Sequence, residues 1–212
     1  MRQNVSKTKI AVLGATGATG RHVVAEALGA GHEVTAVVRQ EGCFERADGL
    51  AEAVWADVTD APALAEVLRD ADVVISAIGG AEKGPTTVCT DAMRSTVSAM
   101  IAAGVGRLVA ISAHGVLETH DRSLYSMAVW AGVAERMKDK ESMEPLLTES
   151  ALEWTIVRPP ALKSAPGTGK YVVGEDLPIR LWHSISREDL AAFLVREAEQ
   201  PEFVHRYPRI HQ

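Results

Sequence analysis

The chain has 212 residues, 47% of them hydrophobic, which supplies a sizeable core for one domain. Its net charge of −6 argues against nucleic acid as a partner, since such binding rests on basic surface. Two cysteines, Cys43 and Cys89, cannot form a metal cage and suit a reducing compartment, and the histidines lack H-x-x-x-H or H-E-x-x-H spacing.

The stretch MRQNVSKTK leads into an apolar run, Ile10–Leu13, that reads as a buried strand. That run is too short for a signal-peptide core or a membrane span, so a cytoplasmic protein without a membrane partner is expected. After "GATGATGR" (14–21), Val23, Val24, Ala27 and Leu28 mark one face of a helix ended by Gly29 and Gly31. Val34–Val38 is a second strand and Ala53–Trp55 a weaker third. Asp60 and Pro62 read as a cap and first turn, opening a helix to about Leu68.

Val73–Ser76 is a fourth strand, and Met93, Val97, Met100 and Ile101 form a helical face closed by Gly104. Leu108–Ser112 is a fifth strand. A long helix runs from Val129 to about Thr148, with Pro145 either kinking it or sitting at a break. Trp154–Val157 is a sixth strand, halted by Pro159 and Pro160. Residues 160–186, rich in Gly and Pro, read as an irregular flap, and Ser186 and Asp189 form a capping-box variant before a last helix.

Continuous apolar strands separated by helices indicate an α/β fold: one doubly wound parallel sheet, helices on both faces, with a small C-terminal flap. Neither linkers nor repeats divide residues 1–212, so one Rossmann-type domain is expected. Ligands of such folds bind at the carboxyl ends of the strands. Gly14, Gly17 and Gly20 fall at the first strand-to-helix turn, where a pyrophosphate lies against bare backbone on a helix N-terminus. Thr16, Ala18 and Thr19 complete that loop, the threonines offering hydroxyls. No Lys-Ser or Lys-Thr follows Gly20, which excludes the phosphate loop of nucleotide hydrolases. A dinucleotide is the expected cofactor.

The G-x-x-G-x-x-G spacing resembles the atypical and extended short-chain dehydrogenase/reductase superfamily. Asp57 and Val58 are similar to the pair with which that family holds adenine, and Ala77, Ile78 and Gly79 to its cofactor-lining turn. "ALEWTIVRPPAL" (151–162) resembles its sixth strand with an Arg-Pro ending, and places Pro160, Ala161 and Leu162 against the cofactor. "GTGKYVV" (167–173) and "RYPRIHQ" (206–212) resemble the flavin reductase and biliverdin reductase B branch of NmrA-like proteins.

Arg39 stands at the end of the second strand, about twenty residues beyond Gly20. A carboxylate there favours NAD, whereas a guanidinium suits the 2′-phosphate of NADP. NADP(H) is therefore preferred, Arg46 assisting if the loop folds back, with Glu41 keeping NAD(H) as the alternative. The family's Tyr-x-x-x-Lys pair is missing: Lys140 is present, but position 136 is Arg and the nearest tyrosine is Tyr125. Lys140 interrupts an apolar helical face formed by Val133, Met137 and Leu147; it either bonds the nicotinamide ribose or snorkels along the core edge.

Ser112 could orient the nicotinamide amide or a substrate carbonyl, or bind only local backbone. Ser112 and His114 lack the third member of a hydrolase triad. Trp130, Tyr125 and Trp182 lie in segments expected to overhang the pocket, as a stacking wall or as lid packing. Ser112, Lys140 and Tyr125 are thus the candidate catalytic residues. Without a placed phenolic acid, the expected reaction is NADPH-dependent hydride transfer to a conjugated small molecule such as a flavin or quinone. The alternatives are a non-catalytic NADP(H) sensor of NmrA-like type and a sugar-nucleotide epimerase or dehydratase, the latter expecting a larger C-terminal domain. A monomer or small homo-oligomer is expected.

Overall fold

Alternating strands and helices lead a chain back and forth across one sheet, and the computed structural model, which describes residues 7–80 and 86–212, shows the sheet that results. Its six strands are β1 (Lys9–Leu13), β2 (Glu33–Val38), β3 (Leu50–Val54), β4 (Val73–Ser76), β5 (Arg107–Ile111) and β6 (Glu153–Val157). They pair in the order β3-β2-β1-β4-β5-β6, all parallel. The order reverses between β1 and β4, and the crevice at that switch is where doubly wound folds take their ligand.

Two apolar layers sandwich the sheet. Val109 and Ile111 of β5 join Ile10, Val12, Leu190 and Phe193 on the side of α1 (Gly20–Gly29) and α5 (Arg187–Glu199). Leu108 and Ala110 face the other way, with Leu64 of α2 (Ala61–Leu68), Met93 of α3 (Val88–Ala103) and Leu147 of α4 (Leu124–Thr148). This alternation is the strand's period of two, and each fully buried Leu contributes about 1.5–3 kcal/mol. The edge strand β3 is only half-buried, which is why its sequence reads as the weakest.

The structure moves several expected boundaries. The third strand lies at Leu50–Val54 rather than 53–55, its register set against Val34–Val38. α4 begins at Leu124, five residues before Val129, because Ser123 Oγ accepts the N–H of Ser126 as an N-cap. The break in α4 is at Val133 (φ −142°, ψ 35°), and Pro145 sits in helix without one. The expected irregular flap carries strands β7 (Ala161–Lys163), β8 (Val172–Gly174) and β9 (Ser184–Ser186). β7 pairs with β9, and β8 pairs antiparallel with β10 (Arg209–His211). Distant residues supply these pairings, so local composition does not announce them.

Asp189 ties the flap down. Its carboxylate accepts the backbone N–H of Thr168 and Gly169, the Ser186 hydroxyl, and Gln212 Nε2 at 2.6 Å. Among the described residues, no helix is long and apolar enough to cross a membrane.

Candidate functional site

The loop from β1 to α1 is built by close packing of backbone on backbone. Gly14 has φ +70°, and a Cβ there would stand 2.9 Å from the Ala77 carbonyl. At Gly20 a Cβ would meet Gly14 O at 2.1 Å, so only glycine lets the helix start so near the turn. Gly17 differs: it is exposed, and a Cβ on it would touch only Gly14 O, at 3.1 Å. The backbone is therefore exposed at Gly17 and Ala18, just ahead of the first turn of α1. Thr16 is half-buried and Thr19 buried, so the two threonines differ in their reach to that exposed backbone. Ala77 and Ile78, half-buried, and Gly79, exposed, form the neighbouring rim after β4.

Arg39 leaves the carboxyl end of β2 exposed, with no hydrogen bond or ion pair among the described residues. The loop beyond it is fixed by Glu52, whose carboxylate accepts the N–H of Gly42 (2.7 Å) and Phe44 (2.6 Å). Arg21 donates to Cys43 O and lies over the Phe44 ring at 5.0 Å. Arg46 and Glu41 are exposed on this loop. Asp57 receives the N–H and hydroxyl of Thr59 on one oxygen, which holds its carboxyl below the usual range; Val58 beside it is half-buried.

At the end of β5, Lys140 Nζ donates to Ile111 O at 3.0 Å, so the lysine head sits beside Ser112. The Ser112 side chain is buried and its hydroxyl has no partner among the described residues. Ser112 is thus not spent on local backbone. Tyr125 is also buried, its ring 5.3 Å from that of His114, and burial pushes its phenol up to about 12. The stem of Arg136 covers the turn after β4, since a Cβ on Gly80 would meet Arg136 Cγ at 3.2 Å. Pro160 is buried, Leu162 half-buried and Ala161 exposed at the end of β6, closing the far side.

Trp130 is not an open wall. It stacks on His120 at 4.0 Å and donates from Nε1 to Gly115 O at 2.8 Å, bracing the loop after β5. Trp182 is 70% exposed on the flap, over Arg180. Sequence reasoning gave no role to Asp139, whose carboxylate accepts the N–H of Cys89 (2.9 Å) and Thr90 (2.9 Å) and so anchors α3 on α4 one residue from Lys140. A buried acid beside the site lysine is the only linear signal for it. His114, set aside as a failed triad member, follows Ser112 by two residues and packs against the Tyr125 ring.

These features fit a dinucleotide: a glycine cradle with open backbone, a free guanidinium after β2, and an unpaired buried hydroxyl after β5. Residues 14–201 match the NAD(P)H-binding family. A protein of Bacillus subtilis named as the uncharacterized sugar epimerase YhfK is 30% identical, with 91% of this chain and 88% of that one covered. The structure of ChuY, an anaerobilin reductase from Escherichia coli O157:H7, superposes with a TM-score of 0.78 at 23% identity, covering 96% of each chain. A short-chain dehydrogenase/reductase from Veillonella parvula, solved in complex with NADP, gives a TM-score of 0.81 at 18% identity over 97% of this chain and 94% of that one. At those identities the two structures speak for the fold.

Proposed function

The chain belongs to the NAD(P)H-binding family, and on that premise we propose that it is an NADPH-dependent oxidoreductase delivering hydride to a conjugated acceptor, a flavin or a quinone. The pyrophosphate would lie against Gly14–Gly20 and the 2′-phosphate on Arg39. Adenine would rest by Asp57 and Val58, and the nicotinamide end between Ala77–Gly79, Ser112, Lys140 and Pro160–Leu162. When bound, the dihydronicotinamide supplies two electrons as hydride.

The chain's own residues position rather than protonate. Lys140, anchored on Ile111 O, keeps further N–H donors for a ribose hydroxyl. Ser112 holds a carboxamide or carbonyl. The observation that carries the reading is what stands in place of an acid: Arg136 occupies the position four before Lys140, and Tyr125, the tyrosine nearest in sequence, is buried with its phenol pushed up to about 12. A conjugated acceptor spreads the incoming charge and takes its proton from water, so it tolerates that arrangement. The resemblance to the flavin and biliverdin reductase branch supports the same choice, and its two C-terminal segments lie together through the β8–β10 pairing.

NADPH oxidation followed at 340 nm with a panel of flavins, quinones and aldehydes tests the proposal. Consumption with flavin or quinone is expected. An epimerase, as the relative's name suggests for that protein, would consume no NADPH, and tight NADPH binding with no turnover on any acceptor would favour the sensor.

A further inference from the structure

Ser112 and His114 donate their backbone N–H to Val157 O (2.8 Å) and Pro159 O (2.9 Å). The step of two on both chains means that the parallel ladder continues past the end of β5, so both side chains leave on one face. Leu108 and Ala110 fix that face as the one under α4. Two contacts agree: Lys140 of α4 reaches Ile111 O, and Tyr125 of α4 packs on the His114 ring.

The His114 residue is 5% exposed, yet Nδ1 is fully buried and has no partner among the described residues, and the same holds for Ser112 Oγ. Buried polar atoms are nearly always paired; among the described residues Arg107 Nε, Ser126 Oγ and Arg187 Nε are also unpartnered, but Ser112 Oγ and His114 Nδ1 are the two that share one face at the ligand end of the sheet, and that shared place points to a ligand. The imidazole is neutral: burial pulls its pKa down to about 4, with Arg209 and Arg158 pulling the same way against Asp121 and Glu118, and Tyr125 beside it uncharged. No described residue holds a proton on Nδ1, and the Nε2–H tautomer is the intrinsically favoured one, which assigns Nδ1 as a lone-pair acceptor.

A quinone rim offers acceptors only and leaves that lone pair unmet. We propose that His114 is a specificity-determining residue that accepts the imide N–H of a flavin ring while Ser112 donates to an adjoining carbonyl. This deepens the hydride-transfer reading by choosing between its two acceptors, and it rests on that reading for the site's orientation.

The test compares riboflavin, 3-methylriboflavin, in which the imide N–H is blocked, and menadione, in wild type, His114→Phe and His114→Asn. Steady-state NADPH oxidation gives KM and kcat, and quenching of flavin fluorescence with NADP+ present gives binding without turnover. Methylation is expected to weaken riboflavin binding by wild type about tenfold, and His114→Phe to raise the riboflavin KM about as much. His114→Asn, whose Oδ1 stands where Nδ1 stood, restores most of it, and His114→Phe raises the riboflavin KM by a larger factor than the menadione KM. Equal binding of riboflavin and its 3-methyl derivative by wild type overturns the assignment, whatever the folding of the variants. So does no binding of riboflavin at all. Discriminating binding with no NADPH consumption keeps His114 in its role and removes the oxidoreductase reading.

Discussion

One residue past β6, Arg158 is buried with all three guanidinium nitrogens engaged; one residue past β5, Ser112 is buried with its hydroxyl unpartnered among the described residues. Arg158 meets Glu144 through Nε (3.1 Å) and Nη2 (2.5 Å), meets Glu118 through Nη1 and Nη2, and lies over the Tyr207 ring at 4.2 Å. These are equivalent places on adjacent strands, and both are desolvated. The difference is closure: a polar group that finds all its partners within the chain holds the fold, and on the proposed reading one left open at the strand ends is free to meet a ligand.

The largest effect should come from the closed end. Arg158→Met leaves the Glu144 carboxylate, which is 0% exposed, without its partner, and should cost about 3–5 kcal/mol in urea denaturation. Ser112→Ala removes an unpaired hydroxyl and should leave stability within about 0.5 kcal/mol while lowering turnover. Comparable destabilisation by the two variants would erase the distinction.

The same contrast runs within the glycine loop. Gly20 is closed by backbone, whereas Gly17 is exposed and a Cβ on it would meet only Gly14 O, at 3.1 Å. Gly17→Val should therefore fold with a wild-type melting temperature, and calorimetry should show NADPH affinity lowered at least a hundredfold, about 3 kcal/mol. Unchanged affinity would take the cofactor away from this loop. Arg39 is an open charge of the same kind. Arg39→Ala should cost NADPH about 1.5–3 kcal/mol, ten- to a hundredfold, and NADH far less. Equal losses for both cofactors would make Arg39 a support of the loop.

What the sequence made readable follows this division too. β1, β4, β5 and β6 were legible because central parallel strands are apolar on both faces, and Gly14–Gly20 because close backbone approach demands glycine in a fixed rhythm. β3, half-exposed at the edge, slipped by three residues at its start, and β7, β8 and β9 went unseen because each exists only through a partner remote in sequence. Lys140 was legible as a charge on an apolar face. His114 was not, since a lone histidine carries no sign of whether its nitrogens find partners.

His114 also makes the open end sensitive to pH. Its folded pKa, pulled down to about 4 by burial, lies below the unfolded value of 6.5. The unfolded chain therefore binds more protons between those values, and stability is full above 6.5 and falls as pH drops toward 4. Denaturation at pH 7.5 and pH 5 should show wild type losing on the order of 2 kcal/mol more than His114→Asn. Parallel losses in the two proteins would mean that His114 is solvated enough to titrate normally.

The smallest effect belongs to Tyr125, and its smallness is the point. Its ring is buried against His114, and burial pushes the phenol up, with no charged partner among the described residues to tune it as an acid. Tyr125→Phe keeps the ring and removes only a hydroxyl that has no hydrogen bond among the described residues, so stability should change by less than about 1 kcal/mol. If the acceptor takes its proton from water, kcat at saturating NADPH should stay within about threefold, because no step waits on the phenol. Lys140→Ala, measured alongside, should lose up to about a hundredfold if, as proposed, the lysine positions the nicotinamide end of the cofactor. A folded Tyr125→Phe that reduces flavin normally but has lost activity on an aldehyde would place the tyrosine as a displaced general acid, and the open end of β5 would then serve carbonyl reduction.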